Sequence, residues 1–324
     1  MKKKIVAVIV TYNRKDELMR CIDAVRGQSL EVSDIIVVNN ASTDGTIAYL
    51  RENNYIEPGV ELIKDTLNFC ATKGNTSIWI FDSSANTGGS GGFYTGLKYA
   101  KEELDAGYVW MMDDDGYPSN ACLEKQFGYI GENDYVMPVS IDIDNHEKLS
   151  WAVRKTDNRK TIVYNELKQN WGELCKEVTP FNGVLLTRKC IDDVGYIKKE
   201  LFIWGDEYEH YWRCREKGYV PITVMDAVFY HPSQKLPLVS IMGGLMRVPY
   251  VDSEVRMICL ARNYTYIYKK YHQKYKIPLK FLMYTWLFLI ARKGDFRGWK
   301  LYCSSVMDGI KEEFTRHLSY LDRN

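Results

Sequence analysis

"KIVAVIVTYNRKDELMRCIDAVRGQ", residues 4 to 28, decides the fold. A β-branched apolar run from Ile5 to Val10 reads as a buried strand, and the residues from Arg14 to Gln28 follow it with helical periodicity. The same alternation returns downstream. "DIIVVNN" (34–40) precedes "TDGTIAYLRENN" (43–54), "SIWIFDS" (77–83) precedes "GGFYTGLKYAKEEL" (91–104), and "YVWMM" (108–112) is the next strand of the series. Strand, helix, strand, helix predicts an α/β fold, with a mostly parallel sheet covered by helices on both faces. In such sheets ligands collect beyond the carboxyl ends of the strands. Three polar clusters converge there: "TYNR", "NNASTDGT" and "DDDG".

After about residue 130 the pattern is less regular. Short strands are expected around "YVMPVS", "KLSWAVR" and "FNGVLLTR", then a helix from near Gly205 and a strand "PITVMDAVFYH". From Val251 onward the chain reads as helical. A compositional boundary between 235 and 250 divides it into an α/β part, residues 1–240, and a C-terminal helical region, residues 241–324.

Composition narrows the function classes. In 324 residues, 46% apolar content is enough for a sizeable core, and a net charge of +1 gives no pull toward nucleic acid. The charge is unevenly placed, because residues 262–300 hold ten Lys or Arg against one acid, Asp295. Eight scattered cysteines with no CxxC pair suggest neither a zinc site nor a disulfide framework, and read as reduced thiols of a cytoplasmic protein. "MKKKIVAVIV" reads as a first strand rather than a leader. The longest apolar stretch, "FLMYTWLFLIA" (281–291), is far short of the roughly 20 residues that span a bilayer.

Asp113, Asp114 and Asp115 crowd the end of an apolar strand. Like charges a few ångströms apart repel, so a cation or hydrogen bonds must compensate. Asp113 and Asp115 at i, i+2 suit Mg²⁺ or Mn²⁺, ions usually shared with a diphosphate, while the plain alternative is a solvated acidic turn. Asn39, Asn40, Ser42, Thr43 and Asp44 follow a buried strand, where Thr43 or Asp44 as a helix cap is an equal reading. "NTGGSGGF" (86–93) puts four glycines ahead of a helix, without the spacing of a dinucleotide or Walker loop. Asp206, Glu207 and Glu209 open a helix behind Trp204, where first-turn acids are often only dipole partners, and His231 ends a strand, a residue type more often structural than a ligand but able to complete a carboxylate metal site.

In this order, "VAVIVTYNR…VVNNASTDGT…NTGGSGGF…DDDG…FIWGDEYEHYWR…H" resembles family 2 glycosyltransferases of the GT-A fold, and among them the bacterial galactofuranosyltransferases, over about residues 3–235. The resemblance implies a Rossmann-like sheet with a donor pocket. Thr11, Asn13, Arg14, Asn39 and Asn40 would line it, Asn86 with Gly88 would close over the nucleotide, and Asp113 and Asp114 would reach the donor. Asp113, Asp115 and His231 would hold Mn²⁺ or Mg²⁺. Many relatives carry Asp at the position of Asn39, which weakens the assignment of the base. Asp-Asp-Asp-Gly, where rhamnosyl relatives often have Asp-Gln-Asp-Ser, favours UDP-galactofuranose.

The implied reaction is inverting. Glu207, or Asp206 beside it, takes the acceptor proton, and Trp204 offers a face to the acceptor sugar. The acceptor would be a glycan or lipid-linked glycan at the inner face of the cell membrane. The basic segment 262–300, with Tyr264, Tyr266, Tyr268, Tyr271, Tyr284, Trp286 and Trp299, is expected to meet anionic headgroups, while 281–291 taken alone reads rather as an apolar helix face packed on the catalytic domain; both can hold at once. Competing readings are a rhamnosyl or other hexosyltransferase, an inactive glycan- or nucleotide-binding protein of the same fold, and a nucleotidyltransferase. Oligomeric state is left open by the sequence.

Overall fold

The computed structural model describes residues 4–177, 181–233 and 237–323; Met1–Lys3, the start of the N-terminal run read as a strand, and Gln234–Leu236, at the expected boundary, lie outside them. β1 (Ile5–Thr11) alternates its side chains between two cores. Ile5, Ala7 and Ile9 enter one apolar cluster with Leu18, Ile22 and Val25, whereas Val6, Val8 and Val10 enter the other with Phe93, Leu97 and Ala100. A strand buried on both faces is the physical reason its sequence is apolar throughout rather than alternating.

The chain continues through α1 (Lys15–Arg26), β2 (Asp34–Asn39), α2 (Thr46–Glu52), β3 (Leu67–Lys73), β4 (Thr76–Asp82), α3 (Gly88–Glu102) and β5 (Tyr108–Asp113). After the acidic turn come β6 (Tyr117–Pro118), α4 (Cys122–Phe127), β7 (Tyr135–Asp142), β8 (Lys148–Arg154), β9 (Lys160–Val163) and α5 (Tyr164–Trp171). β10 (Leu174–Cys175), β11 (Val184–Thr187), α6 (Arg188–Val194), α7 (Asp206–Glu216) and β12 (Ile222–His231) follow. One sheet runs β10-β12-β7-β11-β5-β1-β2-β4-β3. β5, β1, β2 and β4 are mutually parallel, as are β7 and β12, and β3 and β11 run antiparallel to their neighbours. The expected α/β sheet is therefore present, with antiparallel strands added on either side of the parallel centre.

Glycines of α3 seat that helix on the sheet. A Cβ on Gly92 would lie 2.5 Å from Val10 Cγ1, and one on Gly96 would lie 2.2 Å from Val8 Cγ1. The glycine-rich stretch thus serves close helix–strand packing, a reason that its composition alone did not reveal.

Two compact units emerge, residues 1–199 with 213–234, and residues 200–212 with 235–324. The second contains a hairpin, β13 (Leu238–Ile241) and β14 (Met246–Pro249), then α8 (Glu254–Lys270), α9 (Lys276–Trp286) continued by a π turn (Leu287–Ala291), and α10 (Phe296–Lys311). Its core joins Met257, Leu260, Met283, Leu287, Phe288 and Tyr302. One expectation is corrected here. Tyr266, Tyr271 and Tyr284 are buried in this unit rather than displayed on a surface, because their rings fill the space between helices.

Candidate active site

The register of the parallel strands lines up their carboxyl ends. Asp113 closes β5 beside Val10, and Thr11, Asn39 and Asp82 are paired in a row across β1, β2 and β4. On that edge the three aspartates part company. Asp114 is buried, accepting from Thr11 Oγ1 at 2.7 Å and from Arg14 Nη1 at 3.1 Å. Arg14 Nη1 also lies 2.7 Å from Asp115 Oδ2, so one guanidinium bridges two of the three carboxylates. Burial alone would depress the Arg14 pKa, but Asp115, Asp114 and Asp113 raise it. For Asp114 burial prevails over Arg14 and Thr11, and its carboxyl is pushed up to about 6.

Asp115 faces His231. Burial would raise its pKa, yet His231 and Arg14 hold it below the usual carboxylate value. His231 ends β12, fully buried, with Nε2 3.1 Å from Asp115 Oδ1. Trp151 lies over the imidazole at 4.6 Å between ring centres. Gly116 permits this approach. A Cβ there would lie 2.4 Å from Phe229 Cε1 and 2.6 Å from the Tyr230 carbonyl, so only glycine lets the acidic turn lie against β12.

The pair fits a divalent cation. His231 Nδ1 is 2.7 Å from the Pro232 carbonyl, an acceptor only, so that nitrogen carries a proton and Nε2 is the nitrogen turned toward Asp115. Although Nε2 is within ion-pair distance, Asp115 Oδ1 is buried and has no directed hydrogen bond. An imidazole nitrogen and a carboxylate oxygen 3.1 Å apart are donor types that a divalent cation can share once Nε2 gives up any proton. Among the described residues no three His, Cys, Asp or Glu side chains form a group that could hold a metal. Diphosphate oxygens and waters would complete a coordination shell around Asp115 and His231, as is usual for Mg²⁺.

The asparagines are engaged within the protein. Asn40 donates to Asn86 Oδ1 (3.1 Å) and the Gly88 carbonyl (3.0 Å), and accepts from Thr87 N (2.9 Å) and Thr87 Oγ1 (3.0 Å). Its hydrogen-bonding capacity is used in pinning the start of α3. Asn86 Oδ1 also accepts from Gly88 N at 2.8 Å. Asn13, at φ 56°, accepts from Thr43 N at 2.6 Å, tying the loop after β1 to the loop after β2. Asp44 accepts from Thr46 N at 3.1 Å and from Lys15 N at 3.2 Å, but the N-cap of α2 is Gly45 with no side-chain cap, so neither Thr43 nor Asp44 is the helix cap expected from sequence.

Two residues were not singled out from sequence. Asp82 accepts from Asn39 Nδ2 at 2.8 Å, placing a carboxylate one strand away from the position where many family members carry Asp. Tyr12, 45% exposed, offers an open ring at the same edge, where Asn13 turns to its neighbouring loop. An aromatic in the first strand-to-helix loop, and an acid closing "SIWIFD", were the available signals.

The second unit holds the other acids. Phe202, Trp204 and Gly205 adopt φ of 68°, 62° and 89°, a run that non-glycine residues accept only under restraint. Asn263 supplies the restraint, its Nδ2 reaching the carbonyls of Leu201 (2.9 Å), Ile203 (2.9 Å) and Trp204 (2.7 Å). Arg262, fully buried, donates to Asn263 Oδ1 at 2.9 Å and to the Leu201 carbonyl at 3.0 Å. Trp204 is partly buried and packs on the helical core.

The loop delivers Asp206 and Glu207 to the first turn of α7. Asp206 is buried, whereas Glu207 keeps part of its side chain open and accepts from Gly205 N at 3.2 Å. Surrounding protein and the neighbouring Asp206 push the Glu207 carboxyl well above its ordinary pKa. Glu209 is committed to structure by a 2.8 Å bond from Tyr271 Oη.

Comparisons with known proteins agree with this geometry. Residues 6–194 match the model of glycosyl transferase family 2. The chain is 27% identical over 319 residues to galactofuranosyltransferase GlfT1 of Mycolicibacterium smegmatis, covering 96% of this chain and 97% of the relative. GlfT1 of Mycobacterium tuberculosis is 27% identical over 313 residues, 93% of each chain. Among solved structures, the mannosyltransferase PcManGT from Pyrobaculum calidifontis in complex with GDP-Man and Mn²⁺ superposes with a TM-score of 0.53 at 12% identity, covering all of this chain and 79% of that one. GalNAc-T7 with UDP, GalNAc and Mn²⁺ gives 0.51 at 13% identity, over 82% of this chain and 50% of that one, and both likenesses concern the fold. The chain belongs to glycosyl transferase family 2 and is a glycosyltransferase of the GT-A fold.

Proposed function

We propose that the enzyme transfers galactofuranose from UDP-galactofuranose, with inversion and dependence on Mn²⁺ or Mg²⁺, to a glycan or lipid-linked glycan. The observation that carries the metal and donor part is the Asp115–His231 pair, held at the strand ends by Gly116 and left with an orphaned carboxylate oxygen. The sugar is argued from likeness to two proteins named galactofuranosyltransferases.

Asp115 and His231 would hold the ion, whose charge offsets that of the donor diphosphate. Arg14 keeps Asp115 ionised and Thr11 keeps Asp114 in place. Asp113 is assigned to the donor and, with Asp115 and His231, to the ion, and Asn39 and Asp82 are assigned toward the donor base. Asn40, Asn86 and Gly88 shape the loop over the nucleotide from behind, and Asn13 fixes the facing loop.

Glu207 is assigned as the base, because a carboxylate with a raised pKa accepts a hydroxyl proton more readily. The acceptor oxygen then attacks the anomeric carbon on the face opposite the diphosphate, the anomeric C–O bond breaks, and UDP leaves; no covalent intermediate is required. Asp206 adds to the effect of burial in raising the Glu207 pKa, and Trp204 is a candidate face for the acceptor sugar. Residues 1–240 would carry donor chemistry, and the helical region 241–324 peripheral attachment at the inner face of the membrane, since no helix among the described residues is long and apolar enough to cross a bilayer.

A screen of UDP- and dTDP-sugars, with and without Mn²⁺, tests the donor. Turnover of UDP-galactofuranose above all others, lost in chelator and in Asp115→Ala, is expected. Preference for a dTDP-sugar would transfer the proposal to rhamnosyl or related chemistry.

A further inference from the structure

Helix α9 and its π turn present two unlike faces. Met283, Tyr284, Leu287 and Phe288 are buried in the helical core of this unit. Opposite them, Leu279 (47%), Leu282 (63%), Trp286 (38%) and Ile290 (58%) are exposed. Spacings of three and four residues return to the same side of a helix, so these four form one continuous stripe. Tyr275 (70%) precedes the stripe and Phe296 (62%) follows it. Isolated exposed apolar residues need no explanation, but a row of large ones on one helical face does.

Along this segment the charge is almost all of one sign, with Glu254 from the preceding helix pairing with Arg297 at 2.7 Å. Between Lys274 and Lys300 the only acid is Asp295, which is engaged by Arg292 at 3.1 Å. Lys274, Lys293 and Lys300 are exposed and make no ion pair among the described residues. Lys280, on the flank of the same helix, lines a cavity of about 140 Å³ with Tyr264, Tyr268, Tyr284 and Tyr302, and no carboxylate among the described residues pairs with it. Its amine lies below its ordinary pKa because of burial and of Lys276, so an anion brought to it would relieve an uncompensated cation.

We propose that this stripe, from Tyr275 to Phe296, is the surface by which the enzyme lies in the headgroup and upper acyl layer of an anionic bilayer. The inference rests on the peripheral attachment proposed above and names the face responsible. A second copy of the chain would bring the same cations against each other, whereas an anionic bilayer complements them and accepts the apolar side chains. Trp286 and Tyr275 are the residue types favoured at that depth, and length rules out a spanning role. Tyr266, Tyr271 and Tyr284, expected from sequence to meet headgroups, are internal, so attachment passes to Trp286 and the aliphatic side chains of the stripe.

The test is flotation of the full chain with phosphatidylcholine vesicles containing or lacking phosphatidylglycerol, at low and high salt. Wild type is expected to float with the anionic vesicles and to be released by salt. Leu282→Asp with Ile290→Asp should reduce partitioning more than tenfold, and the milder Leu282→Ser with Ile290→Ser several-fold, without lowering the melting temperature. Lys274→Glu with Lys293→Glu should weaken binding to anionic vesicles alone. Wild-type flotation by the Asp variant, or none by wild type, overturns the proposal. So does dimerisation of wild type in light scattering that the Asp variant abolishes, because the occupant would then be a second copy. Transfer to a water-soluble acceptor is expected to be unchanged in these variants, so loss of docking and loss of glycosyl transfer are read separately.

Discussion

Removing Asn263 should unseat the acids of α7 while leaving the donor edge alone. Asn263 is fully buried, and Asn263→Ala strips hydrogen bonds from the carbonyls of Ile203 and Trp204 and the acceptor from Arg262 Nε; Leu201 keeps Arg262 Nη2. Three buried polar groups lose a partner, at about 1 kcal/mol each, for a loss of about 3 kcal/mol. The positive φ at Phe202 and Trp204 gives the freed loop a reason to relax, because each stores about 1 kcal/mol or more in an unfavourable backbone region. Asp206 and Glu207 follow directly in sequence, so their placement should degrade. The assay pairs urea unfolding with steady-state transfer and UDP binding by calorimetry. Lower stability, kcat down by at least tenfold and unchanged UDP affinity are expected. A variant destabilised as calculated but transferring at wild-type kcat would refute the claim that this loop positions the base.

Other consequences follow from single groups. Gly116→Ala forces a Cβ against Phe229 and the Tyr230 carbonyl, and overpacking of about 1–3 kcal/mol should lower the melting temperature and cut metal-dependent turnover; an unchanged melting temperature would contradict the close approach. Glu207→Gln should lower transfer about 10²-fold or more with UDP affinity retained, whereas Asp206→Asn should be milder; the reverse ranking would move the base to Asp206. Because the Glu207 pKa is raised, transfer should climb with pH through a range above that of ordinary carboxylates. The stability this residue contributes should be fully present below the unfolded carboxyl pKa and fall as pH rises through the folded one. A pH–rate profile whose acid limb lies at ordinary carboxylate values would contradict that assignment.

The parallel centre of the sheet was legible because β1, β2 and β5 are buried on both faces along their apolar middles, and β4 keeps its apolar run, residues 78–81. β3 escaped notice because it lies at the end of the sheet and only Cys70 and Ala71 are buried in it. The hairpin β13–β14 was hidden in what read as a boundary, its turn carrying Gly243 and Gly244 at positive φ. The acidic triplet announced a site, but the distribution of labour within it did not follow from spacing. Arg14 reaches Asp114 across 100 positions and His231 reaches Asp115 from β12, contacts set by tertiary register. Asn40, read as a donor contact, is also hydrogen-bonded to the loop before α3, a role that a list of polar residues cannot show.

The metal claim at the centre of this account is tested most directly by Mn²⁺ binding in the presence of UDP, followed by electron paramagnetic resonance of the free ion. Wild type should take up Mn²⁺ with UDP, and Asp115→Ala and His231→Ala should each lose at least tenfold in affinity while keeping the fold by circular dichroism. Wild-type Mn²⁺ uptake by either variant, or UDP binding by wild type that never recruits the ion, would contradict it.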